Sequence, residues 1–383
     1  MLRELISTMA LLVLLSGHAS ADEDQQLRPN AALKYWRGFA TMQRFTPEDE
    51  KLLTNVLAAP LDNQAKDIVT KAEYALRLMH YGAALPHCEW AVDWKEEGVD
   101  ARLPHLMGAR SLTSIALLRA RMRFAEGKDA EAIDDAVAAM TLGRHATLDG
   151  SLIGVLVGYA IEAKVYETLA VYLPRLDARQ LADLKRRLDA VPAGNRPALA
   201  IRQCEENTIH WLVGKVKGAK DNESLVAMLA FVGLSEQKPG DANARARVFV
   251  AECGGSAEGI IRFAEETRPS YALMARILDL PPEQFEKEFE RESAKRANNP
   301  VFKVFFPAMT KVRQSQSRAE IRRALFTAGL AVVRDGQGAL KAHPDPIAGG
   351  PFEYTAFEGG FELRSKYKMA DGKPLTLTFG QRH

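Results

Sequence analysis

Cysteine is scarce in this chain, and the scarcity excludes a class of folds. Cys88, Cys204 and Cys253 are the three cysteines in 383 residues. That is too few to staple a scaffold, so an apolar core must carry the stability. The count is odd, so at most one intramolecular bond can form. Cys204 with Cys253 is the pairing considered, because it would close a long loop. Charge of one sign is also missing. Lys and Arg number 51 against 49 Asp and Glu, a net charge of +2. This is not the basic footprint of a nucleic-acid binder, and no nucleic-acid partner is expected. Local clusters such as Arg245 with Arg247, or Arg318 with Arg322 and Arg323, read as solvated helix faces. Long apolar runs are missing beyond the N-terminus. The longest, Leu152 to Leu173, is interrupted by Glu162, Lys164 and Glu167. Each charge is costly in lipid, so the run predicts a buried core helix and no membrane span in the mature chain. The common catalytic, nucleotide and metal motifs are absent as well. No cofactor is therefore expected. Gly254-Gly255 lacks a flanking strand and reads as a helix break.

The first residues are what the chain does supply clearly. Arg3 opens it, Leu5 to Leu15 is an apolar run, and Gly17 breaks that run. Ala19-Ser20-Ala21 then precedes the abrupt switch to Asp22-Glu23-Asp24. This is the pattern of a secretory leader cut after Ala21, and it is too short to span a membrane. The expected location is periplasmic or extracellular. Residues 1–21 form the leader, 22–340 a helical body and 341–383 a β-hairpin tail docked on it.

Helical periodicity runs from about Asn30 to Val333. Thr46-Pro47-Glu48-Asp49 is a helix start, with Thr46 as cap and Asp49 answering it. Ile68, Val69, Ala72, Ala75, Leu76 and Met79 make one apolar stripe. Asp177 caps a helix bearing Leu181, Leu184 and Leu188, and Pro281-Pro282 opens another with Phe285 and Phe289 on one face. Ser317-Arg318-Ala319-Glu320 reads as a capping box. Between Ala116 and Met140 two helices meet at Gly127, with Asp129 placed to cap the second. Ala132, Ala136 and Ala139 let them approach closely. This segment resembles one tetratricopeptide hairpin, although no 34-residue period follows. After Val333 glycine, proline and aromatics enter. Phe352 to Phe357, Phe361 to Ser365 and Leu375 to Phe379 read as strands, with Glu358-Gly359-Gly360 turning the first pair. The fold class is mainly α: packed antiparallel helix pairs, an irregular solenoid or bundle, with a small antiparallel β unit.

One long connection, Gly82 to Pro104, concentrates reactive side chains, and connections this long are often functional. It holds His87, Cys88, Trp90, Asp93 and Trp94, with His105 just beyond. The binding candidates are Trp90, Asp93, Trp94, His105 and Arg110: indoles to stack on a ring, polar groups to orient it. The competing and favoured reading is that both tryptophans plug the loop onto the core. His87, Cys88 and His105 do not make a metal site, because adjacent residues seldom face one ion and a fourth ligand is not evident. Glu205 and Glu206 are a carboxylate pair, but neighbours on a helix point about 100° apart. No residue is assigned as catalytic.

The tail adds a resemblance. Asp345-Pro346, Gly350-Pro351-Phe352-Glu353-Tyr354 and Gly360-Phe361-Glu362-Leu363-Arg364-Ser365 resemble the C-terminus of type II secretion pseudopilins over about 25 residues. The resemblance implies a β-hairpin and an envelope location. It does not extend to the pseudopilin N-terminal helix or to the calcium-binding aspartates, since Lys366-Tyr367-Lys368 stands there. The chain as a whole is similar to exported bacterial helical proteins without an assigned role. The function expected is an exported helical scaffold or binding protein with a protein or cell-envelope partner; the alternative is an exported hydrolase acting on polysaccharide or cell-wall material.

Overall fold

The computed structural model describes residues 29–230, 242–306, 308–369 and 372–382, excepting the side chains of 100, 204–207 and 305. The leader expected over 1–21 lies outside the described residues. Sixteen α-helices and one sheet make up the described fold. The helices are α1 Ala31–Thr41, α2 Pro47–Thr54, α3 Asn63–Lys71, α4 Glu73–Ala83, α5 Trp94–Glu97, α6 Pro104–Ala125, α7 Asp129–Ala146 and α8 Leu152–Tyr172. They continue as α9 Ala178–Asp189, α10 Pro197–Lys217, α11 Asn222–Ala230, α12 Ala242–Glu252, α13 Ala257–Leu278, α14 Pro282–Lys295, α15 Pro300–Phe305 and α16 Met309–Asp335. The strands are β1 Glu353–Phe357, β2 Gly360–Lys368 and β3 Pro374–Gly380, antiparallel in the order β1-β2-β3. The expected mainly α class with a C-terminal antiparallel sheet is therefore the observed one.

Local chemistry explains most helix ends. Thr46 and Asp49 form the reciprocal capping box at α2, and Asp177 with Gln180 forms one at α9. Two expectations are corrected. Ser317 is not a cap: it lies inside α16, where its hydroxyl donates to the Arg313 carbonyl at 3.1 Å. Asp129 is the first residue of α7 and not its cap; its carboxylate pairs with Arg175 instead. The stripe from Ile68 to Met79 is also broken once, at Ala72, between α3 and α4.

Two apolar cores result. The first gathers α1 to α4, α6 to α9, the C-terminal part of α16 and the sheet, around Leu76, Leu112, Ile115, Phe124, Leu142 and Leu325. The second gathers α10 to α15 around Ile209, Phe249, Ile260, Tyr271, Phe285 and Phe306. α16 joins them, with Val312 in the second core and Ile321 in the first. Small residues set the close helix crossings. A Cβ on Gly82 of α4 would lie 2.5 Å from the Tyr35 ring of α1, and one on Gly143 of α7 would lie 2.5 Å from Ile161 of α8. Gly127, at φ 74°, turns α6 into α7. The charges that interrupt α8 all have partners. Glu162 pairs with Arg144 and Arg323, Lys164 donates to Ser114, and Glu167 pairs with Arg322. No described helix is long and apolar enough to cross a membrane.

The sheet lies on α8 and α16. Along β2, Phe361, Leu363 and Ser365 are buried while Arg364 and Lys366 are exposed, the alternation of a one-sided sheet. The connector before it is pinned by buried Asp345. One carboxylate oxygen accepts the Ser365 hydroxyl at 2.5 Å, and the other accepts the backbone N–H groups of Ile347 and Ala348.

Candidate functional site

The Gly82–Pro104 connection closes over the C-terminal end of α7. A helix ends with carbonyls that lack intrahelical partners. Two indoles meet this end four residues apart. Trp90 Nε1 donates to the His145 carbonyl at 2.7 Å, and Trp94 Nε1 donates to the Asp149 carbonyl at 2.7 Å. Trp90 is buried, stacked on His105 with ring centroids 4.5 Å apart and bordered by Tyr35, Trp36 and Phe39. Trp94 is half-buried. Ala91 between them has φ 54°, a left-handed conformation that costs a side-chain-bearing residue roughly 1–2 kcal/mol. It is the one such non-glycine residue among the described residues.

His105 is fully buried and its Nε2 lies 3.0 Å from Asp149 Oδ2. Asp149 also accepts the Ser151 hydroxyl at 2.9 Å and the Ser151 N–H at 2.8 Å. Serine, aspartate and histidine thus meet, but in the wrong order for nucleophilic catalysis. The carboxylate sits between the other two, so the imidazole does not face the hydroxyl. Ser151 uses its oxygen to cap α8 through the Gly154 N–H. Beside this group, the Tyr35 hydroxyl lies 2.8 Å from His145 Nδ1. Burial pushes the His145 imidazole down to about 4, with His87 adding to the effect. The ring is therefore neutral at pH 7, and its buried Nε2 has no hydrogen-bond partner among the described residues.

The five candidates separate in space. Trp90, Trp94 and His105 converge on the His145–Asp149 corner. Asp93 caps α5 by accepting the Glu96 N–H at 3.1 Å. Arg110 does not join them; it is exposed on α6 beside Lys164. His87 is half-exposed with its Nε2 3.8 Å from Glu89. Cys88 is buried, and burial pushes its thiol up to about 12. Among the described residues no three His, Cys, Asp or Glu side chains are placed to hold a metal ion. Cys253 is a buried free thiol, while the side chains of Cys204, Glu205 and Glu206 lie outside the described residues. Tyr35, His145, Asp149 and Ser151 are the members that sequence reading missed. Trp90 meets His145, and Trp94 meets Asp149, 55 positions away, and the only local signal of these members is the Ser151 cap.

Outside the plug a cavity of about 250 Å³ remains, lined by Glu89, Trp90, Val92, Trp94, Gly150 and Gln203 among others. Small-molecule pockets generally span about 300–1,000 Å³. The cavity is thus the size of a subsite.

The neutral His145 gives a testable pH effect. Its folded value lies below the unfolded value near 6.5. The unfolded chain therefore binds the extra proton first, and stability falls as pH drops from about 6.5 to about 4. The loss attached to this residue is on the order of 3 kcal/mol. Calorimetry at pH 7 and near pH 4.5 should show a steeper fall in melting temperature for the wild type than for His145→Gln. Parallel curves would contradict the assignment.

Comparison with protein-family models, curated proteins and solved structures gives no match to this chain.

Proposed function

We propose that the chain is an exported helical scaffold that works by binding a partner in the periplasm or outside the cell. One observation carries this reading: the polar groups at the candidate site are engaged in holding the fold. Asp149 is shared by His105 and Ser151, the indole N–H groups bond to carbonyls of the last turn of α7 and of the 3-10 turn Thr147–Asp149 after it, and His145 is neutral. A catalyst needs a nucleophile or base that faces substrate. Here those side chains face one another beneath stacked rings. The leader-like residues 1–21 and the pseudopilin-like tail support the envelope location.

The test has two parts. Protein recovered from an exporting cell should begin at Asp22, and the purified chain should leave glycan, peptide and ester substrates unchanged. A reproducible turnover abolished by Glu205→Gln, or by Glu206→Gln, would replace this reading with a hydrolase. An envelope protein that keeps Met1 would remove the cleaved-leader part.

A further inference from the structure

The apolar run of α8 is only partly used by the core. α6, α8 and α16 run side by side in one direction. Three ties align α6 with α8: His105 to Asp149 before its start, Ser114 to Lys164 at 3.0 Å, and Phe124 stacked on Tyr172 at 4.1 Å. On the other flank Glu162 pairs with Arg323 and Glu167 with Arg322, both at 3.0–3.1 Å. Between these walls α8 presents Ile153, Leu156 and Ala160, spaced along one helical face, toward solvent. Ile153 is 59% exposed, and Met107 on the adjoining face of α6 is 64% exposed.

The flanks of this stripe are basic. Arg110 lies one turn before the Ser114–Lys164 tie and is exposed; Arg318 lies one turn before Arg322 and is exposed. Salt bridges in this region use Arg322 and Arg323, whereas Arg110, Lys164 and Arg318 form none with a described carboxylate. Burial, with Arg110 nearby, pulls the Lys164 ammonium below its usual value. Arg110 and Lys164 thus repel each other on one flank of the strip while Glu167 draws Lys164 the other way, and a further incoming carboxylate would favour both cations. A second copy of this face would set cation against cation, which disfavours self-association through it.

We propose that this face docks an acidic amphipathic helix of a partner protein, its apolar side on Met107, Ile153 and Leu156 and its carboxylates on Arg110, Lys164 and Arg318. The mode is a helix laid along a helical face and read by anchors at helical spacing. The proposal rests on the scaffold reading. Its failure would leave the substrate screen unaffected, so the two can be told apart.

The probe is a fluorescein-labelled Leu/Glu amphipathic peptide about five helical turns long, with a Leu/Lys twin as control. Anisotropy with the full chain should show roughly micromolar binding of the Glu peptide, weakened by salt. Arg110→Glu combined with Arg318→Glu, and separately Ile153→Asp, should each weaken it by about tenfold or more. These side chains are exposed, so circular dichroism and melting should stay as in the wild type. Equal binding of the Lys twin, binding that survives the charge reversals, or no binding of the Glu peptide would each overturn the proposal. So would adsorption to phosphatidylglycerol vesicles without peptide binding, which would assign the face to a membrane surface.

Discussion

Asp135→Ala should be among the most destabilising single substitutions in this chain, at about 3–5 kcal/mol. The Asp135 carboxylate is fully buried on α7. Arg119 Nε donates to it at 2.9 Å, Arg123 Nη1 donates at 2.8 Å, and His80 Nε2 lies 2.8 Å away. Burial works to raise its pKa, but the His80 and Arg119 hydrogen bonds and the charges of Arg119 and Arg123 outweigh it and hold the group below the usual carboxylate range. The folded value is depressed, so the contribution is present above the unfolded value of about 3.9 and is lost as pH falls below it. The loss begins where that of His145 is nearly complete. Alanine would remove the buried anion from two guanidinium groups only 12% and 24% exposed, leaving Arg123 with the exposed Glu131 alone. At about 2–4 °C per kcal/mol, the melting temperature should fall by roughly 10 °C. Asp135→Leu with Arg119→Met should recover part of the loss, because replacing a pair costs less than breaking it. A single variant that melts with the wild type would show that the cluster is not coupled to stability.

Helix starts were legible where a side chain answers its own backbone. Thr46 with Asp49 and Asp177 with Gln180 are complete within four residues, and both boxes form. Ser317 with Glu320 has the same spelling and fails. The preceding residues from Met309 already continue a helix, so the serine hydroxyl turns back to the Arg313 carbonyl. Strands were legible from alternation, and the turn at Glu358-Gly359 follows from Gly359 at φ 85°. Long-range pairing was not legible. Asp135 meets His80 across 55 positions, and Glu162 meets Arg323 across 161. Nothing in the local pattern of either carboxylate marks its partner. The division into two cores was hidden for the same reason, since α16 serves both without a break in its periodicity. The candidate loop was conspicuous for its tryptophans, but their role depends on where α7 ends. That position is set by tertiary packing.

Deleting residues 345–383 should cost the protein more than any point change. The sheet is one wall of the first core. Phe352, Phe361, Leu363, Leu377 and Phe379 are all at most 6% exposed and pack in that cluster. Each such side chain contributes roughly 1.5–3 kcal/mol on burial. The ordering entropy of the tail offsets part of this. The helices it covers were shaped to receive it. At Gly329 of α16 a Cβ would lie 2.0 Å from the Phe379 ring, so the glycine provides the space the ring fills. Removing the tail would leave Leu325 and its neighbours on α16 facing water beside the apolar wall of α8, a patch large enough to drive aggregation. The truncated chain should melt at a much lower temperature and precipitate near its transition. Phe379→Ala should cost about 3–5 kcal/mol by cavity formation. Gly329→Leu should be at least as damaging, because the ring and the new side chain cannot share one volume. The two point variants separate packing from simple loss of chain: a tail that merely shielded a surface would tolerate the alanine. A soluble truncation with an unchanged melting temperature would make the sheet an independent appendage, and the contacts of Phe379 with α16 would then carry no stability.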